Sequence, residues 1–217
     1  MKKIIYSFGD SIVAGHVYSK GFVDEVADKL HLNHKKYAKN GAAVLKFPIM
    51  GGQILEQVKQ ANKKMPDAIV FDGGINDAEF LAKNPHVSIK NYSDKKMENQ
   101  TFEKEFENLV QTMQEKWPNT PVVYVAVHKM GSREASIQET LHDVEKKICQ
   151  KYHVHVVDLY ADSDLDTNNK AMQKAYSFDE LNDKGMPGEN GSGTHPNWRA
   201  VEKFYVPLVS KKIEEIL

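Results

Sequence analysis

Short apolar runs separate longer amphipathic segments along the chain. Four of these runs are rich in β-branched residues and lie at positions 4–8, 68–71, 122–127 and 154–159. Continuous apolar runs of this length predict strands that are buried on both faces, as strands in parallel sheets are. Tyr37 and Ala38 lie in a weaker candidate strand.

The segments between the runs repeat apolar residues at the spacing of an amphipathic helix. Residues 102–117 and 137–148 show this spacing, and residues 201–213 predict a closing helix. Strands that alternate with helices favour parallel pairing through right-handed crossovers, with helices on both faces of the sheet. The pattern therefore predicts one α/β domain over residues 1–217, a three-layer α/β/α sandwich around a five-stranded parallel sheet.

Two long polar segments interrupt the alternation. Residues 78–100 are rich in asparagine, and residues 162–197 carry four glycines. Long loops in a compact domain are usually functional. We therefore expect both segments to contribute to function rather than to the core.

Composition and charge exclude several classes of function. The formal net charge of −1 over 217 residues gives no field that would steer a nucleic acid. No apolar run has the roughly 20 residues that a membrane helix needs. Asp10 interrupts the apolar start of the chain before a signal peptide forms. We therefore expect a cytoplasmic protein with no nucleic-acid or membrane partner, although a leader removed earlier would leave no trace here.

The single cysteine, Cys149, excludes an internal disulfide.

Four short segments with glycine and polar residues follow successive strands, and so lie at one edge of the predicted sheet. They are Gly9-Asp10-Ser11, Asn40-Gly41-Ala42, Gly73-Gly74-Ile75-Asn76-Asp77 and Gly193-Thr194-His195-Pro196-Asn197. Each alone is typical of an ordinary turn or helix start. Together they supply a nucleophile, Ser11, and a base, His195. Oxyanion donors would come from the Gly41 backbone and the Asn76 amide, and residues 51–52 are an alternative to Gly41. With these donors the set that acyl transfer requires is complete.

The order and spacing of these blocks resemble the SGNH hydrolases, a family named after its Ser, Gly, Asn and His blocks. The resemblance spans nearly the whole chain. It implies a flavodoxin-like fold, no metal or organic cofactor, and hydrolysis of ester or thioester bonds. Carried over by match, Ser11 would be the nucleophile and an N–H donor to the oxyanion hole. Gly41 and Asn76 would complete that hole, and His195 would be the base.

The sequence departs from the family at the residue that orients the histidine. The family usually has Asp-x-x-His, and Ser192 occupies the aspartate position here. A hydroxyl accepts a hydrogen bond from imidazole but brings no negative charge. Three hypotheses stay open: a Ser–His dyad in which Ser192 or a backbone carbonyl orients His195, a replacement by a nearby acid, or loss of activity. The nearby acids are Asp179, Asp183 and Glu189.

Further polar residues near the expected site are candidates for substrate contacts. Asp10 adjoins Ser11, where it would hold the turn or touch the substrate. His128 follows the fourth apolar run and therefore opens on the same edge of the sheet. His16, beyond Ser11, is a weaker candidate of the same kind.

The sequence therefore predicts a carboxylester hydrolase that works through a Ser11 acyl-enzyme. We expect short acyl groups, especially acetyl on a carbohydrate, because no amphipathic membrane helix or hydrophobic lid is evident. Two alternatives use the same residues: acyl transfer to a sugar, and a catalytically weakened carbohydrate-binding protein. The expected partner is a small-molecule ester, and the oligomeric state stays open.

Overall fold

A computed structural model describes residues 2–90 and 100–217. Within these residues, five parallel strands form one sheet in the order β2-β1-β3-β4-β5. The strands are β1 (Ile4–Phe8), β2 (Asn33–Lys36), β3 (Ala68–Phe71), β4 (Val122–Ala126) and β5 (His155–Asp158). The predicted α/β class and five-stranded parallel sheet are confirmed.

Helices connect the strands and cover both faces of the sheet. They are α1 (Ser11–Ala14), α2 (Phe22–Lys29), α3 (Ile54–Gln60), α4 (Ile75–Lys83), α5 (Phe102–Lys116), α6 (Ala135–Lys151), α7 (Leu159–Asp162), α8 (Lys170–Tyr176), α9 (Trp198–Ala200), a π-helical segment (Val201–Tyr205) and α10 (Val206–Ile216). No helix in the described ranges combines the length and apolar character needed to cross a membrane.

The core lies in two layers, one on each face of the sheet. Successive strand residues point to opposite faces, so Tyr6 and Phe8 pack with α3, α4, α5 and α6, whereas Ile5 packs with α2 and α10. On β3, Ile69 belongs to the first layer and Val70 to the second. Burial on both faces explains why these strands read as continuous apolar runs.

The second strand lies earlier than the sequence indicated. Tyr37 and Ala38 were the expected strand residues, but β2 occupies Asn33–Lys36 and is polar. As an edge strand it pairs only with β1 among the described strands, so half of its side chains need not be apolar. Tyr37 follows directly, and its ring stacks on Phe8 at 5.1 Å between centroids.

The two long polar segments contain helices that the sequence did not indicate. The first segment begins inside α4, which continues to Lys83, and part of it, residues 91–99, lies outside the described residues. The second segment contains α8. Its end is fixed as expected, because the Asn197 side chain accepts from the Ala200 N–H at 3.1 Å and caps α9.

Candidate active site

Ser11 lies at the carboxyl end of β1, as the first residue of α1. Asp10 caps this helix, because its Oδ1 accepts from the Ile12 N–H at 2.9 Å. The N–H of a first helical residue has no acceptor inside the helix. The Ser11 N–H is therefore placed where it can bind an anionic oxygen.

The turn before Ser11 is held from two sides. Gln57 of α3 accepts from the Gly9 N–H at 3.0 Å and donates to the Gly9 carbonyl at 2.9 Å. Asp72, just after β3, accepts from the Asp10 N–H at 3.0 Å. Gly9 has φ +143°, and a Cβ there would lie 1.8 Å from Asp72 Oδ1. Only glycine fits this position without rearrangement.

Asp10 and Asp72 form a fully buried acidic pair beneath the nucleophile. Burial raises the pKa of Asp10 to about 6, and burial together with the charge of Asp10 raises the pKa of Asp72 well above its usual range. Asp72 therefore holds the proton, and Asp10 stays available as the acceptor that caps α1.

His195 contacts the serine directly. Its Nε2 lies 3.0 Å from Ser11 Oγ, and its backbone carbonyl accepts from the Phe178 N–H at 3.0 Å. Burial, followed by the neighbouring His16, lowers the pKa of His195 from 6.5 to about 4. The imidazole is therefore neutral at pH 7, as a general base must be before it accepts a proton.

Asp179 is the acid closest to the other nitrogen of His195. Its Oδ1 lies 3.7 Å from His195 Nδ1, and its side chain is 45% exposed. Ser192 binds this carboxylate twice: its Oγ donates to Oδ1 at 2.9 Å and its N–H donates to Oδ2 at 2.8 Å. No hydrogen bond joins Ser192 to His195 in the described residues. The structure thus places a carboxylate near His195, with Ser192 holding that carboxylate.

His16 lies flat against His195. The two rings are 3.7 Å apart between centroids and 7° from parallel. His16 has φ 57°, a left-handed conformation that directs its ring over the site, and its Nε2 lies 3.2 Å from the Asp179 carbonyl oxygen. The sequence signal for this contact is weak, because a histidine just after α1 is as easily a surface residue.

We expect His16→Ala to move the acid limb of the kcat/KM profile on an ester upward, from near pH 4 toward pH 6.5. His195 must be neutral to act, so activity falls as pH drops through its pKa. Removing His16 exposes His195 to water and removes a neighbour that disfavours its protonation. Rates measured between pH 4 and pH 8 would detect the shift.

His153→Ala is the matched control, because His153 has φ 55° and is exposed on the loop before β5. It should leave the profile unchanged. An unshifted acid limb in His16→Ala, with only a lower plateau, would show that His16 supports packing and does not influence protonation.

The two remaining oxyanion candidates are tied to each other. Asn76, in the first turn of α4, donates from Nδ2 to the Ala42 carbonyl at 2.8 Å. Its second amide hydrogen remains available for an oxyanion. Gly41 has φ +72° in the loop that Asn76 holds. Gly51 lies against this loop, since a Cβ on Gly51 would be 2.2 Å from the Ala42 nitrogen.

The loop that carries Gly41 is also anchored by Asp77. The Asp77 carboxylate accepts from the backbone N–H groups of Val44 at 3.0 Å and Leu45 at 2.7 Å. Burial raises the pKa of Asp77 to about 6. One turn of α4 therefore positions both the Asn76 amide and the loop opposite it.

Two of the predicted substrate contacts are buried. Asp10 is 0% exposed and caps α1, and His128 is 1% exposed with Nδ1 at 2.7 Å from the Tyr205 hydroxyl. Burial lowers the pKa of His128 to about 4. The prediction that Asp10 and His128 contact the substrate is therefore corrected, because neither side chain is open to a ligand. The strand-end position was correct for both, but it does not distinguish an open side chain from a buried one.

In the described residues, one group of potential metal ligands lies close together: His16, Asp179 and His195. One ligand atom from each lies within 4.8 Å of the others. Because the imidazole rings are nearly parallel, the lone pairs of their nitrogens run side by side and do not converge on one ion. The arrangement fits a hydrogen-bonded cluster better than a metal centre.

The structure has an SGNH-type α/β fold. Its marks are the sheet order, the serine at the end of the first strand and the histidine before the last helices. The chain belongs to the GDSL-like Lipase/Acylhydrolase family, whose model matches residues 7–202. The resemblance indicated by the sequence blocks is thereby confirmed. No curated protein sequence matches the chain.

Solved structures share the fold along the whole chain. A protein from Lactobacillus plantarum has a TM-score of 0.73 at 17% identity, covering 100% of this chain and 96% of that chain. A lipase/acylhydrolase from Enterococcus faecalis has a TM-score of 0.62 at 18% identity, covering 98% and 96%. An active-site mutant of a family two carbohydrate esterase from Clostridium thermocellum has a TM-score of 0.63 at 15% identity, covering 99% and 64%. At these identities the similarity concerns the fold alone.

Proposed function

We propose that this protein is a carboxylester hydrolase that works through an acyl-enzyme on Ser11. The observation that carries the proposal is the 3.0 Å contact between Ser11 Oγ and His195 Nε2. This is the distance at which a base removes the proton of an attacking hydroxyl.

In the first half-reaction, Ser11 Oγ attacks the ester carbonyl carbon as its proton passes to His195 Nε2. The oxyanion that forms accepts hydrogen bonds from the N–H groups of Ser11 and Gly41 and from the Asn76 amide. The imidazolium that forms is attracted to Asp179, which lies 3.7 Å from Nδ1 before the reaction. Catalytic hydrogen bonds often tighten as charge develops.

Collapse of the tetrahedral intermediate breaks the bond to the alcohol, and His195 donates its proton to the departing alkoxide oxygen. Water then enters, gives a proton to His195 and attacks the acyl carbon on Ser11. The second collapse releases the carboxylic acid and restores the serine hydroxyl. Each half-reaction transfers one proton to His195 and one away from it.

We propose short acyl groups, such as acetyl on a carbohydrate, as the substrates. The family acts on acyl esters, and a carbohydrate esterase is among the proteins that share the fold. The absence of a membrane-spanning helix in the described residues is compatible with such a substrate.

The acyl-enzyme is tested with 4-nitrophenyl acetate. We expect an initial burst of 4-nitrophenol equal to the enzyme concentration, and an acetyl group on the peptide that contains Ser11 when the reaction is quenched in acid. Ser11→Ala should show neither signal. Turnover that Ser11→Ala leaves unchanged, without acetylated peptide in the wild type, would argue for direct attack by water.

A further inference from the structure

A groove of about 640 Å³ leads away from Ser11 and His195. It runs between α2 on one side and the π-helical segment and the start of α10 on the other, as far as His31. Its volume is typical of sites that hold a ligand well beyond the size of an acetyl group. The reaction at Ser11 therefore leaves most of this groove for another part of the substrate.

The groove reaches Ser11 on the side where His195 lies. Its lining includes Ser11, His16 and His195 but neither Gly41 nor Asn76. In the proposed reaction, His195 Nε2 gives its proton to the alcohol oxygen, so the alcohol must lie on the His195 side of the acyl carbon. Two of the three proposed oxyanion donors, the Gly41 N–H and the Asn76 amide, lie outside the groove, which directs the carbonyl oxygen away from it.

We propose that this groove binds the alcohol half of the ester, and that this alcohol is an uncharged oligosaccharide. The inference rests on the proposed function for the direction of the substrate. The chemistry of the groove provides the argument for the class of alcohol.

Close to the site, the groove offers apolar and aromatic surface. Trp198 is 43% exposed on its wall, and the Arg199 guanidinium lies 5.6 Å from the centroid of its ring. Arg199 is itself paired with Glu189 at 2.6 Å. The indole is thus supported on one side while part of it stays open, as a platform for the apolar face of a sugar ring must be.

Farther along, charged side chains of both signs line the groove: Lys20, Lys29, Glu25, Asp28 and Glu202. Lys20 Nζ lies 2.6 Å from Asp28 Oδ2 and 3.7 Å from Glu25 Oε1. These groups can bind hydroxyl groups, and the slight excess of acids over lysines in the lining disfavours a phosphate or another anionic alcohol. A fatty alcohol would need apolar surface along the whole length. Hydroxyl-bearing rings match both parts of the groove.

The test compares two acetyl esters, an O-acetylated monosaccharide and the corresponding O-acetylated β-1,4-linked trisaccharide. We expect kcat/KM for the trisaccharide to be about tenfold higher or more, a difference that corresponds to one good stacking contact. Trp198→Ala should bring the ratio of the two values toward one, and Trp198→Phe should restore part of it. Met65→Ala, which removes a 51% exposed side chain outside the groove, is the matched control.

Two results would overturn the inference. A wild-type ratio near one would show that the groove does not recognise extra sugar rings. A rate that rises from 4-nitrophenyl acetate to octanoate, and falls again in Trp198→Ala, would place the acyl chain in the groove.

A failure of the proposed function gives a different result. In that case Ser11→Ala would hydrolyse both esters as fast as the wild type does. Titration of Ser11→Ala with the unacetylated trisaccharide would still decide the groove's ligand: binding that Trp198→Ala weakens supports a glycan site, and no binding rejects it.

Discussion

Replacing Ser11 with alanine is expected to lower kcat on a short ester by about 10⁴-fold or more, and His195→Ala by a similar factor, since the two groups act as one unit. The double variant should be no slower than the slower single variant. Loss of a shared proton transfer explains both the size of the effects and their failure to add. Single-turnover rates with 4-nitrophenyl acetate would measure all three.

Ser136→Ala and His155→Ala are suitable controls, because both side chains are exposed and lie away from the site. Both should keep wild-type rates and wild-type melting temperatures. If His195→Ala retained most of the activity while Ser11→Ala did not, another base would have to be sought within reach of Ser11.

Asp179→Asn is expected to lower kcat by about 10- to 100-fold. The effect should be smaller than the roughly 10⁴-fold loss seen when a buried triad aspartate is disabled. Asp179 is 3.7 Å from His195 Nδ1 and 45% exposed, so water screens part of its attraction for the imidazolium. Ser192→Ala should have a smaller effect, because it acts only by releasing the Asp179 carboxylate.

Exchanging the residues at positions 179 and 192 tests whether His195 needs a nearby carboxylate, whichever of the two positions carries it. Asp179→Ser combined with Ser192→Asp restores a carboxylate near His195, and we expect it to recover part of the activity lost in Asp179→Asn. Ser192→Asp alone places a second carboxylate against Asp179, and repulsion should offset any gain. Asp183→Asn is the control, an acid in the same loop. An equal loss in Asp183→Asn would contradict a specific role for Asp179.

Much of the fold could be predicted because buried parallel strands leave a strong pattern. The run at 68–71 has apolar residues on both faces and was located to the residue. The strand β2 was missed because an edge strand can be polar, and Asn33 to Lys36 look like a loop in isolation. The residues of α8 contribute no fully buried side chain, so they too carry little hydrophobic signal.

The candidate site could be predicted to the extent that strand ends determine it. Ser11 lies at the carboxyl end of β1, whereas His195 reaches it from the long loop between α8 and α9. The positions of His16 and Asp179 depend instead on the paths of irregular loops. The hydrophobic periodicity of the sequence does not predict such paths. Asp179 could only be proposed among several acids, and Ser192 matched the family position without revealing that its partner is Asp179.

The close approach of Gly9 to Asp72 also limits how this protein can change over generations. A side chain at position 9 would collide with Asp72, and the backbone there has φ +143°. Changing Asp72 alone would remove the acceptor of the Asp10 N–H and leave the glycine's conformation unchanged. Neither residue can therefore be replaced freely, because position 9 needs glycine for its conformation and position 72 needs an acceptor for the Asp10 N–H. The loop that carries the nucleophile should diverge more slowly than the groove beside it, where new alcohols can be accommodated one substitution at a time.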